Sequence, residues 1–111
     1  MNHIIEIRSI ILKLGKGAEF QRLYIAEALP LLKRWNFDVV AHGPSLHDKN
    51  SYYVIRRFES LAQRDEMEDT YYSSDDWRQG PREQMLALME SYTDIVLELD
   101  ETTLQGLRKQ S

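Results

Sequence analysis

The sequence predicts an α+β fold with the element order strand, helix, strand, strand, helix, strand. Residues 3–13 are a β-branched run typical of a long strand, and residues 18–35 carry apolar side chains at helical spacing. Further strand and helix signals follow between residues 37 and 99. Two interleaved crossover units of this kind give a four-stranded antiparallel sheet with helices on one face, the ferredoxin-like βαββαβ plan.

The first strand separates into two rows of side chains, since alternate residues point to opposite faces. One row is aliphatic and the other is mixed, as follows: Ile5, Ile7 and Ile11 in the first, and Ile4, Glu6, Arg8 and Ile10 in the second. We expect the aliphatic row to face the helices. In the helix over residues 18–35, Pro30 removes an amide donor and disfavours helical geometry at the preceding residue. A kink or break is expected there.

The middle of the chain predicts two strands, over residues 37–42 and 52–58, joined by a loop longer than a tight hairpin turn. The parity of the second of these is open, because Tyr52-Tyr53 and Arg56-Arg57 are doublets and either member of each can face inward. Ser60 and Gln63 have the spacing of a capping box and start the second helix. That helix is densely charged, so we expect it on the surface.

The last part of the chain predicts a helix, a strand and a tail. Pro81 is a helix-start signal, and the buried side of that helix is assigned to Met85, Leu86, Met89 and Tyr92. Residues 93–99 alternate as a strand. The predicted domain therefore covers residues 1–100, and residues 101–111 form a polar C-terminal tail, either frayed or a short arm on a partner.

The open face of the predicted sheet carries too many aliphatic side chains to remain in water. The mixed rows of the first and last strands place Ile4, Ile10 and Val96 there beside Glu6, Arg8 and Glu98. An apolar patch of that size is normally covered by a partner, and a second copy in a two-fold dimer is the simplest cover. We expect a homodimer, with the charged side chains lining a cavity between the two sheets.

Composition excludes several classes of function. The net charge is −4 and no basic stripe is visible, which argues against nucleic-acid binding. There is no cysteine, so disulfides and thiolate chemistry are excluded. No signal peptide and no long apolar run is present, so we predict a cytoplasmic protein without a membrane partner. His42, His47 and Asp48 match no standard metal motif, and neither a metal nor a cofactor is predicted.

Five residues are candidate ligand contacts: Arg8, His42, Tyr72, Trp77 and Arg78. Arg8, with Arg56 or Arg57, offers guanidinium groups to an anion, although pairing with Glu6 or Glu98 across the sheet is the alternative. His42 could act as a general base, and its plain alternative is a solvated histidine at a strand end. The aromatic segment with Trp77 could form one wall of a ligand site. In the alternative, Trp77 packs at the end of the helical layer and Asp75 or Asp76 caps the next turn. No catalytic residue is assigned.

The chain resembles the NIPSNAP family over about residues 4–99. The similarity rests on residues 12–16, 19–20, 37–41, 53–58 and 60–61, and above all on the block 72–82 that contains Trp77-Arg78-Gln79-Gly80-Pro81. The resemblance implies a dimeric α/β barrel, a group that includes cofactor-independent monooxygenases, heme-degrading enzymes and isomerase-like proteins. It carries over no catalytic residue.

Two functions follow from these observations. The first is a homodimer that binds a small ligand between its sheets, with an oxygenase-like or isomerase-like enzyme as a variant of it. The second is a non-catalytic module for protein interaction or stress response. A cavity that holds ionisable groups with shifted pKa values would favour the first.

Overall fold

The computed structural model describes residues 2–110, and the side chains of residues 2–108. The strands are β1 (Asn2–Leu12), β2 (Asp38–Pro44), β3 (Ser51–Phe58) and β4 (Met89–Asp100). The helices are α1 (Gly17–Leu23), α2 (Leu29–Arg34), α3 (Leu61–Tyr72), α4 (Asp75–Arg78), α5 (Arg82–Ala87) and α6 (Glu101–Gln110). None of these helices is long and apolar enough to cross a membrane.

The strands form one sheet in the order β2-β3-β1-β4, with every neighbouring pair antiparallel. The two longest strands, β1 and β4, run side by side from the pair Asn2–Asp100 to the pair Leu12–Met89. This arrangement confirms the four-stranded antiparallel sheet and the α+β class predicted from the sequence.

The regular α-helical pattern of the first helical segment is interrupted immediately before Pro30, where a kink or break was predicted, but the chain stays helical. Residues Tyr24–Ala28 form a π-helical turn between α1 and α2, and the amide of Leu29 bonds to the carbonyl of Tyr24. Pro30 has no amide hydrogen for the carbonyl four residues earlier, so the regular α-helical pattern cannot continue through it. Single π-helical turns often occur at functional sites. This one places Tyr24 and Ala28, both buried, against the sheet.

The second helical region begins as expected and ends earlier than expected. Ser60 accepts a hydrogen bond from the amide of Gln63 at 3.0 Å, and the Gln63 side chain accepts from the amide of Glu59 at 2.7 Å, which is a capping box. However, α5 stops at Ala87, so Met89 and Tyr92 belong to β4 rather than to a helix. Pairing with β1, where Tyr92 lies opposite Ile10, overrides the helical spacing of these residues.

The two faces of the sheet are the reverse of the prediction. Ile4 and Ile10 of the mixed row pack with the main helices, in a core that includes Phe20, Tyr24 and Phe58. Ile5 belongs to a second cluster, on the other face, with Val40, Ala41, Ile55 and Leu104. The expectation that the aliphatic row faces the main helices is therefore wrong. The reason is that α3 supplies charged partners for the polar row, whereas the aliphatic row is partly covered by α6.

The C-terminal residues form α6 instead of a frayed tail. Leu104 is only 1 % exposed, and Leu107 packs beside it on the sheet. Arg108 donates two hydrogen bonds to the carboxylate of Asp38, at 2.9 and 2.7 Å. Asp100 accepts a hydrogen bond from the amide of Thr103 and so caps the first turn. The two leucines that interrupt the polar sequence are the anchors of this helix.

The sheet also settles the two doublets in β3. Tyr52 and Arg56 face the main helices and are 1 % and 3 % exposed. Tyr53 and Arg57 lie on the opposite face, where Arg57 donates a hydrogen bond to His3 at 2.9 Å. Arg56 and Arg57 are thus neighbours in sequence with entirely different surroundings.

Candidate functional site

A cavity of about 460 Å³ lies between the sheet and the main helices of a single protomer. Its walls are mostly apolar, and four of its polar residues contact one another at one end. The apolar part is formed by β1, the α1–α2 segment, β3 and α5, and includes Phe20, Ala28, Leu32, Val54 and Met85. The polar end is formed by Arg8, Arg56, Glu68 and Tyr72. Its volume and mostly apolar lining fall within the ranges found for small-molecule sites in other proteins.

Arg8 is fixed at the polar end by a bidentate ion pair with Asp94. Its Nε and Nη2 donate to the two carboxylate oxygens at 2.8 and 3.0 Å. The two residues lie opposite each other in the β1–β4 register, so the sheet itself sets the geometry. Tyr92 stacks on the guanidinium at 4.5 Å. The predicted pairing of Arg8 across the sheet is therefore confirmed. However, the main partner of Arg8 is Asp94 rather than Glu6 or Glu98.

Helix α3 presents charged side chains to the sheet, and not only to solvent. Arg64 donates a hydrogen bond to Glu6 at 2.9 Å and another to Asp94 at 3.2 Å. Glu68, one turn later on the same face, lies 3.8 Å from Arg8 and 3.7 Å from Arg56. The charged face that suggested a surface helix thus packs on the charged row of the sheet.

Tyr72 joins the two buried arginines. Its hydroxyl oxygen accepts from Arg8 Nη1 at 3.1 Å and from Arg56 Nη2 at 2.9 Å. A phenol has two lone pairs and one hydrogen, so both lone pairs are used and the O–H remains available as a donor. The cavity end therefore offers a hydroxyl donor between two guanidinium groups.

Glu6 and Glu68 share this environment but differ in protonation. Burial opposes ionisation of Glu6, yet its contact with Glu68 and the charges of Arg56 and Arg8 keep its pKa below the ordinary value. Burial, followed by the contact with Glu6, raises the pKa of Glu68 to about 8. Neither Glu6 Oε2 nor Glu68 Oε2 has a hydrogen-bond donor among the described residues. The contact between the two carboxyl groups therefore favours one proton held on Glu68 beside an ionised Glu6.

Several buried polar atoms around the cavity have no hydrogen-bond partner among the residues described. They are Nε and Nη1 of Arg56 and the hydroxyl groups of Tyr24 and Tyr71. Buried polar groups are normally satisfied, because an unmade hydrogen bond costs about 1–3 kcal/mol. Arg56 and Tyr24 both line the cavity. Both residues therefore carry unmet hydrogen-bonding capacity beside the cavity.

The structure brings three of the five candidate residues together. Arg8, Tyr72 and Trp77 line the cavity, with the rings of Tyr72 and Trp77 5.3 Å apart and perpendicular. Trp77 is positioned by α4, which Ser74 caps by accepting from the Trp77 amide at 3.3 Å. The expected cap by Asp75 or Asp76 is wrong, and Asp76 instead accepts from the indole of Trp35.

Arg78 and His42 lie outside the cavity. Arg78 is exposed on α4 and borders a separate shallow depression beside it. His42 packs against the Tyr24 ring at 5.0 Å, and its Nδ1 is 2.8 Å from the hydroxyl of Tyr52. Burial, with a smaller effect of Lys33, lowers the pKa of His42 and so favours the neutral ring beside the phenol. This surrounding fits a structural histidine.

Residues that sequence reasoning missed include Glu68 and Tyr24. The charges of β1, β3, β4 and α3 balance each other: Arg8, Arg56 and Arg64 against Glu6, Glu68 and Asp94. The sequence contained one indication of this cluster. The strands carry unpaired charges, and the second helix carries matching charges but little apolar surface. Within residues 2–110, no group of three potential ligands is arranged to hold a metal ion.

Comparison with solved structures identifies the same fold in NIPSNAP proteins. A NIPSNAP family protein of Agrobacterium tumefaciens superimposes with a TM-score of 0.82 at 16% identity, covering 93% of this chain and 90% of its own. A second A. tumefaciens protein of that family, with unknown function, gives 0.80 at 20% identity, with 87% of each chain covered. A NIPSNAP-like domain protein of Burkholderia xenovorans gives 0.81 at 15% identity, covering 89% and 86%.

No protein-family model and no curated protein sequence gives a significant match. The structural likeness, at identities of 15–20%, concerns the fold. It extends over 87–93% of this chain. The resemblance predicted from the sequence is thereby confirmed at the level of the fold, and this chain has the architecture of the NIPSNAP proteins.

Proposed function

We propose that the protein binds a small, largely apolar molecule in the cavity between its sheet and its main helices. The observation that carries this proposal is the cavity itself, about 460 Å³ in volume, with apolar walls and a polar end. Sites for small molecules combine these two features, since apolar walls provide affinity and a few polar groups fix orientation. The raised pKa of Glu68 at the polar end also favours binding over a purely structural role.

The proposed site differs from the one expected from sequence. The expected cavity lay between the sheets of two protomers, because the polar row was assigned to the open face. In the structure that row faces α3, and the cavity lies between the sheet and the helices of one protomer. The alternative, a non-catalytic interaction module, has no need for a cavity with unpartnered buried polar atoms.

A cavity-filling substitution tests the proposal directly. Ala28 is 3 % exposed and lines the cavity, so Ala28→Leu adds volume where the ligand would lie. Ala18→Leu adds the same volume at an exposed position of α1 and serves as the control. Thermal-shift screening of small aromatic and aliphatic molecules should give stabilising compounds for the original protein and for Ala18→Leu. Ala28→Leu should lose those shifts while it remains folded by circular dichroism.

Two results of that screen contradict the proposal. Equal stabilisation of both variants would place the ligand elsewhere. The absence of any stabilising compound across a chemically broad set would favour the interaction module.

We also propose that the protein forms a homodimer through the outer face of the sheet. Ile95 is 65 % exposed there, and Ile7 and Tyr53 are only partly covered. Helix α6 covers the cluster around Leu104 and leaves this part of the face open. Exposed aliphatic side chains on a contiguous sheet surface commonly mark an interface between copies.

Sedimentation equilibrium tests the dimer. The protein should have twice the monomer mass at micromolar concentration, and Ile95→Lys should convert it to a folded monomer. Ile25→Lys changes a similarly apolar residue, 47 % exposed on the π-helical turn, and should leave the dimer intact. A monomeric parent protein would refute this interface.

A further inference from the structure

We propose that the cavity takes a small organic monocarboxylate, whose carboxylate binds Tyr72 and Arg56 and replaces Glu68 as the counter-ion of the buried arginines. This proposal rests on the proposed function and adds the chemical class of the ligand. The apolar body of such a molecule would occupy the part of the cavity between Phe20, Leu32 and Met85.

The first argument is the set of donors at the polar end. Arg56 is 3 % exposed, and its Nε and Nη1 have no hydrogen-bond partner among the described residues. The Tyr72 O–H is free to donate because its oxygen already accepts from both Arg8 and Arg56. A carboxylate has two oxygens that accept several hydrogen bonds, so one oxygen can accept from an Arg56 N–H while the other accepts from the Tyr72 hydroxyl.

The second argument is that Arg56 has no carboxylate among the described residues at close hydrogen-bonding distance. Its nearest carboxylate oxygens are Glu6 Oε2 at 3.5 Å from Nε and Glu68 Oε2 at 3.7 Å from Nη1. Both separations exceed the 2.7–2.9 Å or so of a strong charged hydrogen bond. Arg8, in contrast, has a bidentate pair at 2.8 and 3.0 Å. The ion-pair cluster is therefore complete around Arg8 and incomplete around Arg56.

The third argument is the charge of the cluster. The groups facing Glu68 are Glu6 and Arg8 of β1, Arg56 of β3, Asp94 of β4 and Arg64 of its own helix. With Glu68 ionised these charges balance, and with Glu68 protonated one positive charge remains. Since burial and Glu6 raise the pKa of Glu68 to about 8, the protonated form predominates at neutral pH. An anionic ligand supplies the missing negative charge.

This exchange predicts a pH dependence with a defined sign. Below pH 8 Glu68 is protonated and does not compete with the ligand, so affinity is constant. Above pH 8 the Glu68 carboxylate takes the place of the ligand, and affinity falls by up to about tenfold for each pH unit. Glu68→Gln keeps a neutral group of the same shape and should hold the affinity constant across this range.

Calorimetric titration with 4-phenylbutyrate and its neutral analogue 4-phenyl-1-butanol tests the proposal on the full-length protein. At pH 7 the carboxylate should bind at least about tenfold more tightly, as expected when one charge-assisted contact of about 1.5 kcal/mol or more is added. That preference should decline between pH 8 and pH 10 in the original protein and persist in Glu68→Gln. Tyr72→Phe should reduce it, whereas Arg57→Gln, on the opposite face of the same strand, should leave it unchanged.

The outcomes separate the two proposals. Equal affinity for the acid and the alcohol overturns the carboxylate site and leaves a cavity that binds apolar molecules. A preference for the acid that survives to pH 10 in the original protein overturns the exchange with Glu68. Binding of neither compound overturns the carboxylate site and leaves the proposed function to the broader thermal-shift screen. If Tyr72→Phe does not fold, Glu68→Gln and the pair of ligands still decide between these results.

Discussion

Arg8 and Asp94 form a bidentate ion pair across β1 and β4, with Nε–Oδ1 and Nη2–Oδ2 distances of 2.8 and 3.0 Å. The side chains of the two residues are only 10 % and 18 % exposed. The pair links the edge strand to the polar end of the cavity and holds the Arg8 guanidinium beside Tyr72. Since both charges lie largely out of water, each depends on the other.

Removal of Arg8 should therefore lower stability. Arg8→Ala leaves Asp94 and the buried Glu6 with one positive charge fewer, and breaking a buried pair in this way costs about 3–5 kcal/mol. Urea unfolding at pH 7 measures the loss. Arg34→Ala is the matched control, because the Arg34–Asp76 pair is exposed and should contribute less than about 1 kcal/mol. Similar losses in the two variants would contradict the assigned role of the buried pair.

Two adjacent tyrosines should respond differently to loss of their hydroxyl groups. Tyr72→Phe removes the acceptor of hydrogen bonds from Arg8 and Arg56 and should cost about 1–3 kcal/mol. Tyr71→Phe removes a buried hydroxyl that has no hydrogen-bond partner among the described residues, so it should be neutral or slightly stabilising. Both changes keep the aromatic ring and its packing. A larger loss for Tyr71→Phe would contradict the hydrogen-bond assignment.

Glu68 should make stability depend on pH between about 5 and 8. Its pKa in the folded protein is about 8, above the value of 4.5 for an exposed group, so the folded state holds a proton that the unfolded state has released. The stabilisation of the folded state by the Glu68 proton is complete below pH 4.5, and it is lost as the pH rises from there through 8. Free energies of unfolding for the original protein minus those for Glu68→Gln should therefore decrease across this range. A flat difference would show that Glu68 titrates normally.

Helix α6 should be an integral part of the fold. Leu104 is 1 % exposed and packs in the cluster with Ile5 and Ile55, so Leu104→Ala should cost about 2–5 kcal/mol. Leu107→Ala, at a partly buried position of the same helix, should cost less. Thermal and urea unfolding measure both. No effect from Leu104→Ala would mean that the C-terminal segment behaves as the tail first expected.

Features with a local physical cause could be predicted from the sequence. Ser60 and Gln63 form their capping box within four residues, and Pro30 interrupts the helix through its own missing amide hydrogen. The β-branched run of β1 and the turn signals between elements fix the order of strands and helices. The sheet and the fold class could be predicted from that order of elements alone.

The orientation of the sheet could not be predicted from the pattern of its own residues. A row with Glu6 and Arg8 indicates an exposed or open face unless a charged partner covers it. That partner is Arg64 and Glu68 of α3, whose position opposite β1 exists only in the folded chain. Because the row with Glu6 and Arg8 was assigned to the open face, the cavity on the helical side was not predicted. The polar end of that cavity includes this buried row. Arg8, Tyr72 and Trp77 were predicted as ligand contacts from their chemistry, and they line this cavity, although the expected cavity was on the other side of the sheet.

The most direct test of the central claim is to locate the ligand within a protomer. Methyl groups of Leu32, Val54 and Met85 line the cavity, whereas those of Ile7, Ile55 and Ile95 lie on the outer face of the sheet. Methyl NMR spectra recorded during titration with 4-phenylbutyrate at pH 7 report on both sets at once. We predict saturable shifts at the cavity methyls with little change at the outer ones. Shifts confined to the outer face, or no saturable shifts, would contradict the account.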